Sequence, residues 1–334
     1  MTENSPDDYF QARTVSRVVD EGFNSKPKHK IFGSFLYTDT NTYFFSRTNT
    51  GKSMLAFQIG LAAATGTSFD NCLALRNESE PMKVLIADLE NDDATISERH
   101  GIIKTKFDPL LLNNLVFLHE NPVVTPLFSY YMLDKIYKKA IEEKADLIIL
   151  DNISRILPDL LKAEDVARVI EFMNRIRQTI GASFLIIGHT TKTDSRIAIT
   201  PQSYYGSSSL QNFFREIFYL DTTKDENFFL SHAKTKYKEE YVKTVPLLTR
   251  GSHPLSGVGF TYQSMMAVSD IRLPYSLTPE IQHRKRDLNA YLNQILILDE
   301  RGTSCQVIAD IFNVDRRSIY RILETHRLIP CSHN

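Results

Sequence analysis

Residues 44–58, FFSRTNTGKSMLAFQ, run from an apolar stretch through a short polar turn to Gly51-Lys52-Ser53 and then into a helical pattern. A lysine and a hydroxyl side by side at the start of a helix suit a chain of phosphates. Successive backbone N–H groups of such a turn converge on the anion, and the helix dipole adds to the attraction. In the general pattern G-x-x-x-x-G-K-[ST], the lysine reaches the terminal phosphates and the hydroxyl ligates Mg²⁺. Here Ser46 stands where the first glycine is usual. Serine loses some φ freedom at that point but removes no phosphate-binding group. The expected ligands are therefore ATP and Mg²⁺, held by Ser46, Arg47, Thr48, Asn49, Thr50, Gly51, Lys52, Ser53 and Met54, with Ser53 on the metal.

Other polar residues close apolar runs in the same manner. VLIADLENDDATISERH places Glu90 just beyond an apolar stretch, where it would polarise an attacking water; Asp88 and Asp92 are the local rivals. ADLIILDN ends in Asp151, the carboxylate expected to orient Mg²⁺ through water, unless it is a capping or turn residue. FLIIGHTTKT puts His189 at the end of the next run, where it would sense the terminal phosphate or simply close a strand. A carboxylate at the C-terminal end of a parallel strand sits where open α/β sheets bind ligands.

These positions require a particular scaffold. Apolar runs at 42–46, 83–90, 114–120, 145–151 and 182–189 alternate with amphipathic stretches of helical period. Runs of that length bounded by polar turns fit strands buried on both faces, and the alternation argues a mostly parallel α/β sheet flanked by helices. Three further runs, at 215–223, 226–236 and 242–248, lie close together and predict a hairpin-rich edge. Residues 251–280 are rich in Gly, Pro and Ser and read as a connector, with VGFTYQSM as one more strand at most. The expected division is a polar, partly helical segment over 1–28, a nucleotide-binding domain over 29–268, a linker over 269–280 and a small all-helical domain over 281–330.

The motif order resembles the RecA-like P-loop ATPase core, in particular the branch of RepA-like and DnaB-like hexameric helicases. That resemblance implies a catalytic role for Glu90, a Walker B role for Asp151 and a polar sensor role for His189. SHAKTKYKEE resembles the late hairpin that reaches a neighbouring subunit's nucleotide. Lys234 falls on its lysine and Lys236 on its arginine finger; a lysine there is a point charge without a planar fork. The segment after His189, TTKTDSRIAITPQSYYGSSSL, corresponds to the loop that faces a central channel. Lys192, Arg196, Tyr204 and Tyr205 are its candidates for gripping and stacking on single-stranded DNA, against a plain surface loop.

SCQVIADIFNVDRRSIYRILETHRLI reads helix, turn, helix. Val307, Ile308 and Ile311 predict one apolar face, Asp315 an N-cap, and Ile319, Ile322 and Leu323 the inward face of the second helix. Arg316, Arg317, Tyr320 and Arg321 would then be left to meet duplex DNA. The pattern resembles the helix-turn-helix of site-specific recombinases and many regulators, and a helical packing module without nucleic acid is the alternative.

Composition sets the limits. Across 334 residues the formal net charge is −1, so nucleic-acid binding must rest on local patches rather than on overall charge. The three cysteines show no metal spacing, and no run of about 18 apolar residues occurs; a cytoplasmic protein without membrane contact is expected. Two functions fit. One is an ATP-hydrolysing protein acting on DNA as a helicase, translocase or loader of a plasmid or mobile element, working as a homo-oligomeric ring, in the family's habit a hexamer. The other is a DNA-binding regulator or assembly factor that uses ATP as a conformational ligand with little turnover.

Overall fold

The computed structural model describes residues 12–23, 28–68, 73–119, 129–157, 160–190, 199, 203, 206–235, 243–271, 292–300, 303–312 and 314–326. The chain divides into two compact units, Met1–Leu277 and Thr278–Asn334.

The first unit begins with helix α1 (Val15–Phe23) and a small antiparallel pair, β1 (Lys30–Phe32) and β2 (Leu36–Tyr37). Strand β3 (Asn41–Ser46) feeds the polar turn into helix α2 (Lys52–Thr65). Strand β4 (Val84–Asp88) is followed by helices α3 (Asp93–His100), α4 (Ile103–Lys106) and α5 (Pro109–Leu112), then by strand β5 (Leu115–Leu118) and helix α6 (Ser129–Glu143). Next come β6 (Leu147–Asp151), α7 (Ile153–Ile156), α8 (Ala163–Ile180), β7 (Ser183–His189), α9 (Ser208–Phe213) and β8 (Glu216–Thr222). Strands β9 (Phe228–Lys234), β10 (Thr244–His253) and β11 (Gly257–Ala267) close the unit.

Nine strands form one sheet in the order β11-β10-β9-β8-β3-β7-β6-β4-β5. The six from β8 to β5 pair in parallel, and the last three in sequence extend the sheet antiparallel. Alternate residues of each central strand serve opposite cores. Tyr43, Phe45, Leu85, Ile148, Leu150 and Phe184 face α6 and α8, whereas Phe44, Ile86, Ile149, Leu185 and Ile187 face α2. Both faces are covered, which is why these strands read as unbroken apolar runs rather than alternating ones. Helix α2 lies within the core along most of its length; Leu55, Ala56, Ile59, Leu61 and Ala63 are all buried.

The expected α/β sheet and its hairpin-rich edge are present, and two local expectations change. Within the stretch read as a connector, the one strand allowed there, VGFTYQSM, is present as β11; it is longer at both ends and pairs with β10 over ten positions. Pro254 and Ser256 lie in the short turn between those strands, whereas Gly251, Ser252, Gly257, Gly259 and Ser264 lie within the strands themselves, so that a composition typical of a linker belongs to a hairpin. The helical run after Glu90 breaks at Gly101-Ile102 into α3 and α4.

The β10–β11 hairpin is fastened to the elements that carry the polar turn. The Gln58 side chain of α2 donates to the Phe260 carbonyl at 3.0 Å and accepts from its N–H at 2.7 Å, all of it buried. His100, stacked on Phe57 of α2, hydrogen-bonds the Ser256 carbonyl at 2.7 Å. Gly257, at φ 81°, comes so close to α3 that an added Cβ would lie 2.0 Å from the Arg99 carbonyl oxygen.

The second unit contains α10 (Leu292–Glu300), α11 (Cys305–Phe312) and α12 (Arg316–His326). Ile295, Ile308, Ala309, Ile319, Ile322 and Leu323 form its core. Ile319, Ile322 and Leu323 turn inward as expected. Val307 does not: it is 48% exposed, and Ala309 takes the inward place beside Ile308. Among the described residues no helix is long and apolar enough to cross a membrane.

Gln58→Leu would leave the Phe260 N–H and carbonyl buried without partners, at about 1–3 kcal/mol each. We expect a loss of about 3 kcal/mol in urea unfolding, together with faster hydrogen exchange at the Phe260 amide.

Candidate functional site

The C-terminal edge of the parallel strands gathers the chemistry-bearing residues. Strand register sets Ser46 beside His189 on β3 and β7, and Asp88 beside Asp151 on β4 and β6.

The polar turn is built without a glycine at its entrance. Ser46 is the last residue of β3, fully buried, and is not among the residues with positive φ; those in the loop are Asn49 at 63° and Gly51 at 99°. Position 46 thus makes no demand that only glycine meets. The Ser46 hydroxyl is instead engaged: it donates to the Thr50 hydroxyl and lies 3.1 Å from the Arg47 carbonyl. Thr50 donates to the same carbonyl at 2.9 Å, so two hydroxyls clasp the two ends of the loop. Gly51 does need its freedom. Besides its φ, an added Cβ would sit 2.8 Å from the Phe260 ring. It is also the N-cap of α2 and offers no side-chain cap. The first-turn amides of the helix have no intrahelical acceptor, which leaves them for an anion.

Not every loop side chain faces that anion position. Arg47 turns to Asp221 of β8 at 3.6 Å, and the main-chain carbonyl of Asn49 accepts from the Arg250 side chain of β10 at 2.9 Å. Thr48 is exposed, and Met54, in the first turn of α2, packs against the apolar core on that side of the sheet. Lys52 is 8% exposed and donates to the Arg47 carbonyl at 2.7 Å and the Ser46 carbonyl at 3.3 Å. Burial brings its ammonium down to about 8, while the charges of Asp151 and Glu90 pull the other way.

Asp151 is 3% exposed. Burial pushes its carboxyl up to about 7, the nearby Asp88 and Glu90 push the same way, and the Ser53 hydroxyl and Lys52 oppose them. A buried carboxylate among other carboxylates, bonded to the hydroxyl that opens α2, is an arrangement that a divalent cation would relieve. A cleft of about 20 Å³, lined by Ser53, Asp88, Asn91, Arg99 and Asp151 among others, has room for one small ion or water. Ser53 and Asp151 therefore fit Mg²⁺, a hard cation that takes few protein oxygens and keeps the rest for water and phosphate.

The rivals to Glu90 have other work. Asp92 caps α3, accepting from the Thr95 N–H at 2.8 Å. Asp88 accepts from the Glu90 N–H at 3.0 Å and the Asn91 N–H at 2.9 Å, which shapes the turn presenting Glu90. Glu90 itself is exposed and meets Asn152, whose side chain also bonds His189 Nε2 at 3.1 Å. His189 is half-buried; burial lowers its pKa, Lys52 lowers it further, and Glu90 raises it. The peptide bond between Asp151 and Asn152 is cis. Sequence reading passed over Asn152 and Arg250. The first had a signal in its place next to Asp151; the second, an arginine between the run at 242–248 and the connector, had none.

The remaining expected residues lie elsewhere. The structure brings Lys234 to the end of α9, where its ammonium donates to the carbonyls of Gln211 at 2.7 Å, Phe214 at 2.8 Å and Asn212 at 3.3 Å, rather than to the cluster around Lys52. Lys192, Arg196, Tyr204, Tyr205 and Lys236 lie outside the described residues. In the second unit Asp315 caps α12, accepting from the Arg317 N–H at 2.6 Å. Arg316, Arg317, Tyr320 and Arg321 are all exposed on one helix, with Arg316 donating to the Tyr320 hydroxyl at 3.1 Å.

Comparison with known proteins bears on both units. The AAA_25 family, described as an AAA domain, matches residues 12–195. A family described as the helix-turn-helix domain of resolvase matches residues 284–326. No curated protein matches the chain. Among solved structures, a KaiC-like protein from the hyperthermophilic archaeon Pyrococcus horikoshii OT3 is similar over 71% of this chain and 100% of its own, with 13% identity and a TM-score of 0.49.

The raised Asp151 value fixes a sign. Between its ordinary value and about 7, the folded chain holds a proton that the unfolded chain has lost, so this group makes stability fall as pH rises through that window and stay lower above it. Asp151→Asn removes the effect. In chelator and without nucleotide, we expect the variant to melt several degrees above wild type at pH 8, with the gain at least halved at pH 5.

Proposed function

We propose, from the premise that this chain belongs to the AAA_25 family of AAA domains, that the protein binds and hydrolyses ATP with Mg²⁺ and couples that cycle to DNA. The observation that carries this reading is the convergence of Lys52, Ser53, Glu90, Asp151 and His189 on one edge of the parallel sheet, at the uncapped start of α2. Phosphates would lie against the first-turn amides of α2, with Lys52 moving from its loop carbonyls to the terminal groups. Ser53 and Asp151 would hold Mg²⁺, which when bound offsets phosphate charge. Glu90 would take a proton from the attacking water as its oxygen bonds to the terminal phosphorus and the bond to the leaving diphosphate oxygen breaks. His189 would stand beside the phosphate that departs.

The DNA side rests on the resolvase-type helix-turn-helix match and on the exposed basic face of α12. Arg316, Arg317, Tyr320 and Arg321 would enter a duplex groove, while Lys192, Arg196, Tyr204 and Tyr205 would touch a single strand in the channel of a ring. In that assembly, a hexamer as in RepA-like and DnaB-like helicases, Lys236 and a released Lys234 would approach the neighbour's nucleotide. The protein would work in the cytoplasm as a helicase, translocase or loader for a plasmid or mobile element. A second reading, a DNA-binding regulator that holds ATP mainly as a conformational ligand, is favoured by the Arg250–Asn49 bond, which ties the loop to a structural hairpin.

ATP turnover measured with and without single-stranded and duplex DNA separates these. The first reading expects hydrolysis that DNA stimulates and that Lys52→Ala and Glu90→Gln each lower by about a hundredfold or more. No turnover with any DNA would sink it and favour the second. Arg317→Ala should weaken duplex binding about tenfold and make the salt dependence shallower, as expected for a lost phosphate or base contact; unchanged binding at two salt concentrations removes α12 from the interface.

A further inference from the structure

Asn152 follows Asp151 directly, is 2% exposed, and has a fully used side chain. Its Nδ2 donates to Glu90 Oε1 and lies 3.1 Å from His189 Nε2, and its Oδ1 accepts from the Ser154 hydroxyl. The neighbours decide which way round the amide sits. An ionised carboxylate can only accept, and the serine hydroxyl has a hydrogen to give. The amide nitrogen carries donors alone, so His189 Nε2 must be the acceptor. The imidazole is then neutral, with its hydrogen on Nδ1.

One asparagine at the end of β6 thus links a group after β4 to a group at the end of β7. Glu90 sits on an exposed turn, and its side chain has several rotatable bonds whose orientation the turn alone does not fix. We propose that Asn152 is a positioning residue for ATP hydrolysis: it anchors one carboxylate oxygen of Glu90, leaves the other to face the attacking water, and joins that carboxylate to the His189 ring. The link to His189 is exclusive, because Nε2 has a single lone pair in the ring plane. A terminal phosphate oxygen only accepts, so it bonds this nitrogen only when the ring carries its hydrogen on Nε2; Nε2 then no longer accepts from Asn152, and occupancy at His189 alters the tether of Glu90. The inference rests on the ATPase reading above and adds to it a residue that neither the phosphate loop nor the metal site requires.

Steady-state hydrolysis and binding of a fluorescent ATP analogue test it on the full chain as wild type, Glu90→Gln, Asn152→Ala, Asn152→Asp and the Glu90→Gln/Asn152→Ala double variant. Loss of orientation of about 1 Å at a reacting group lowers rate by about a hundredfold. Asn152→Ala is expected to lower kcat about ten- to a hundredfold while analogue affinity changes less than about threefold. In the Glu90→Gln background the same substitution should add less than about twofold, because it acts through Glu90. Asn152→Asp keeps the shape and the acceptor for Ser154 but sets oxygens against Glu90 and Nε2. It should lose as much kcat as alanine, and it carries the comparison if Asn152→Ala does not fold. Wild-type kcat in both Asn152 variants, losses that multiply in the double variant, or analogue affinity that falls in step with kcat would each overturn the proposal while leaving the ATPase reading intact. A wild type without turnover, or unchanged kcat in Glu90→Gln, overturns that reading and this proposal with it.

Discussion

The withdrawal of opposite charges from water at one sheet edge governs the structure of the site. Lys52 and Asp151 are almost wholly buried, and each is moved away from its ordinary protonation range by that burial. Isolated, either charge would be expensive; together, with the Ser53 hydroxyl and the loop carbonyls, they are partly compensated. The residual imbalance is chemical information. Asp88, Glu90 and Asp151 bring three carboxylates near one ammonium, so the site has an unmet need for positive charge on its metal side. It also has unmet amides on its phosphate side. A magnesium–triphosphate pair, the ligand proposed above, would meet both needs at once.

Such an edge must be rigid, and the sheet's late strands contribute to that. The β10–β11 hairpin grips α2 through the Gln58 amide, α3 through Ser256 and Gly257, and the phosphate loop through Arg250. The loop is therefore braced from two directions: by its own Ser46–Thr50 clasp and by a hairpin about 200 residues away in sequence. The serine at the loop entrance is part of this bracing. Its backbone needs no positive φ, and its hydroxyl does work that a glycine cannot.

In the second unit the same economy is visible on a smaller scale. Asp315 caps α12, three apolar residues of that helix close the small core, and the arginines are left outside. The inward face is read correctly where the 3.6-residue period is long enough to fix it, as on α12. On the shorter α11 Ile308 is buried as expected, Val307 is exposed with Ala309 buried instead, and the side chain of Ile311 lies outside the described residues. Eight residues give little leverage on the phase of a helix.

The sequence by itself determined the parallel sheet, because strands buried on both faces are written as continuous apolar runs. It also determined Lys52, Ser53, Asp151, Glu90 and His189 as candidates, because each lies at or just after the end of such a run, where local order alone implies a position at the sheet edge. The three-dimensional arrangement decided what depends on partners distant in the chain. Asp88 and Asp92 became a turn-former and a cap, and Lys234 became bound to the end of α9. Arg250 reached the loop, and Asn152 came to bridge Glu90 and His189. Asn and Arg side chains carry no periodic signature, and their meaning is set by which donors and acceptors folding places within about 3 Å of them.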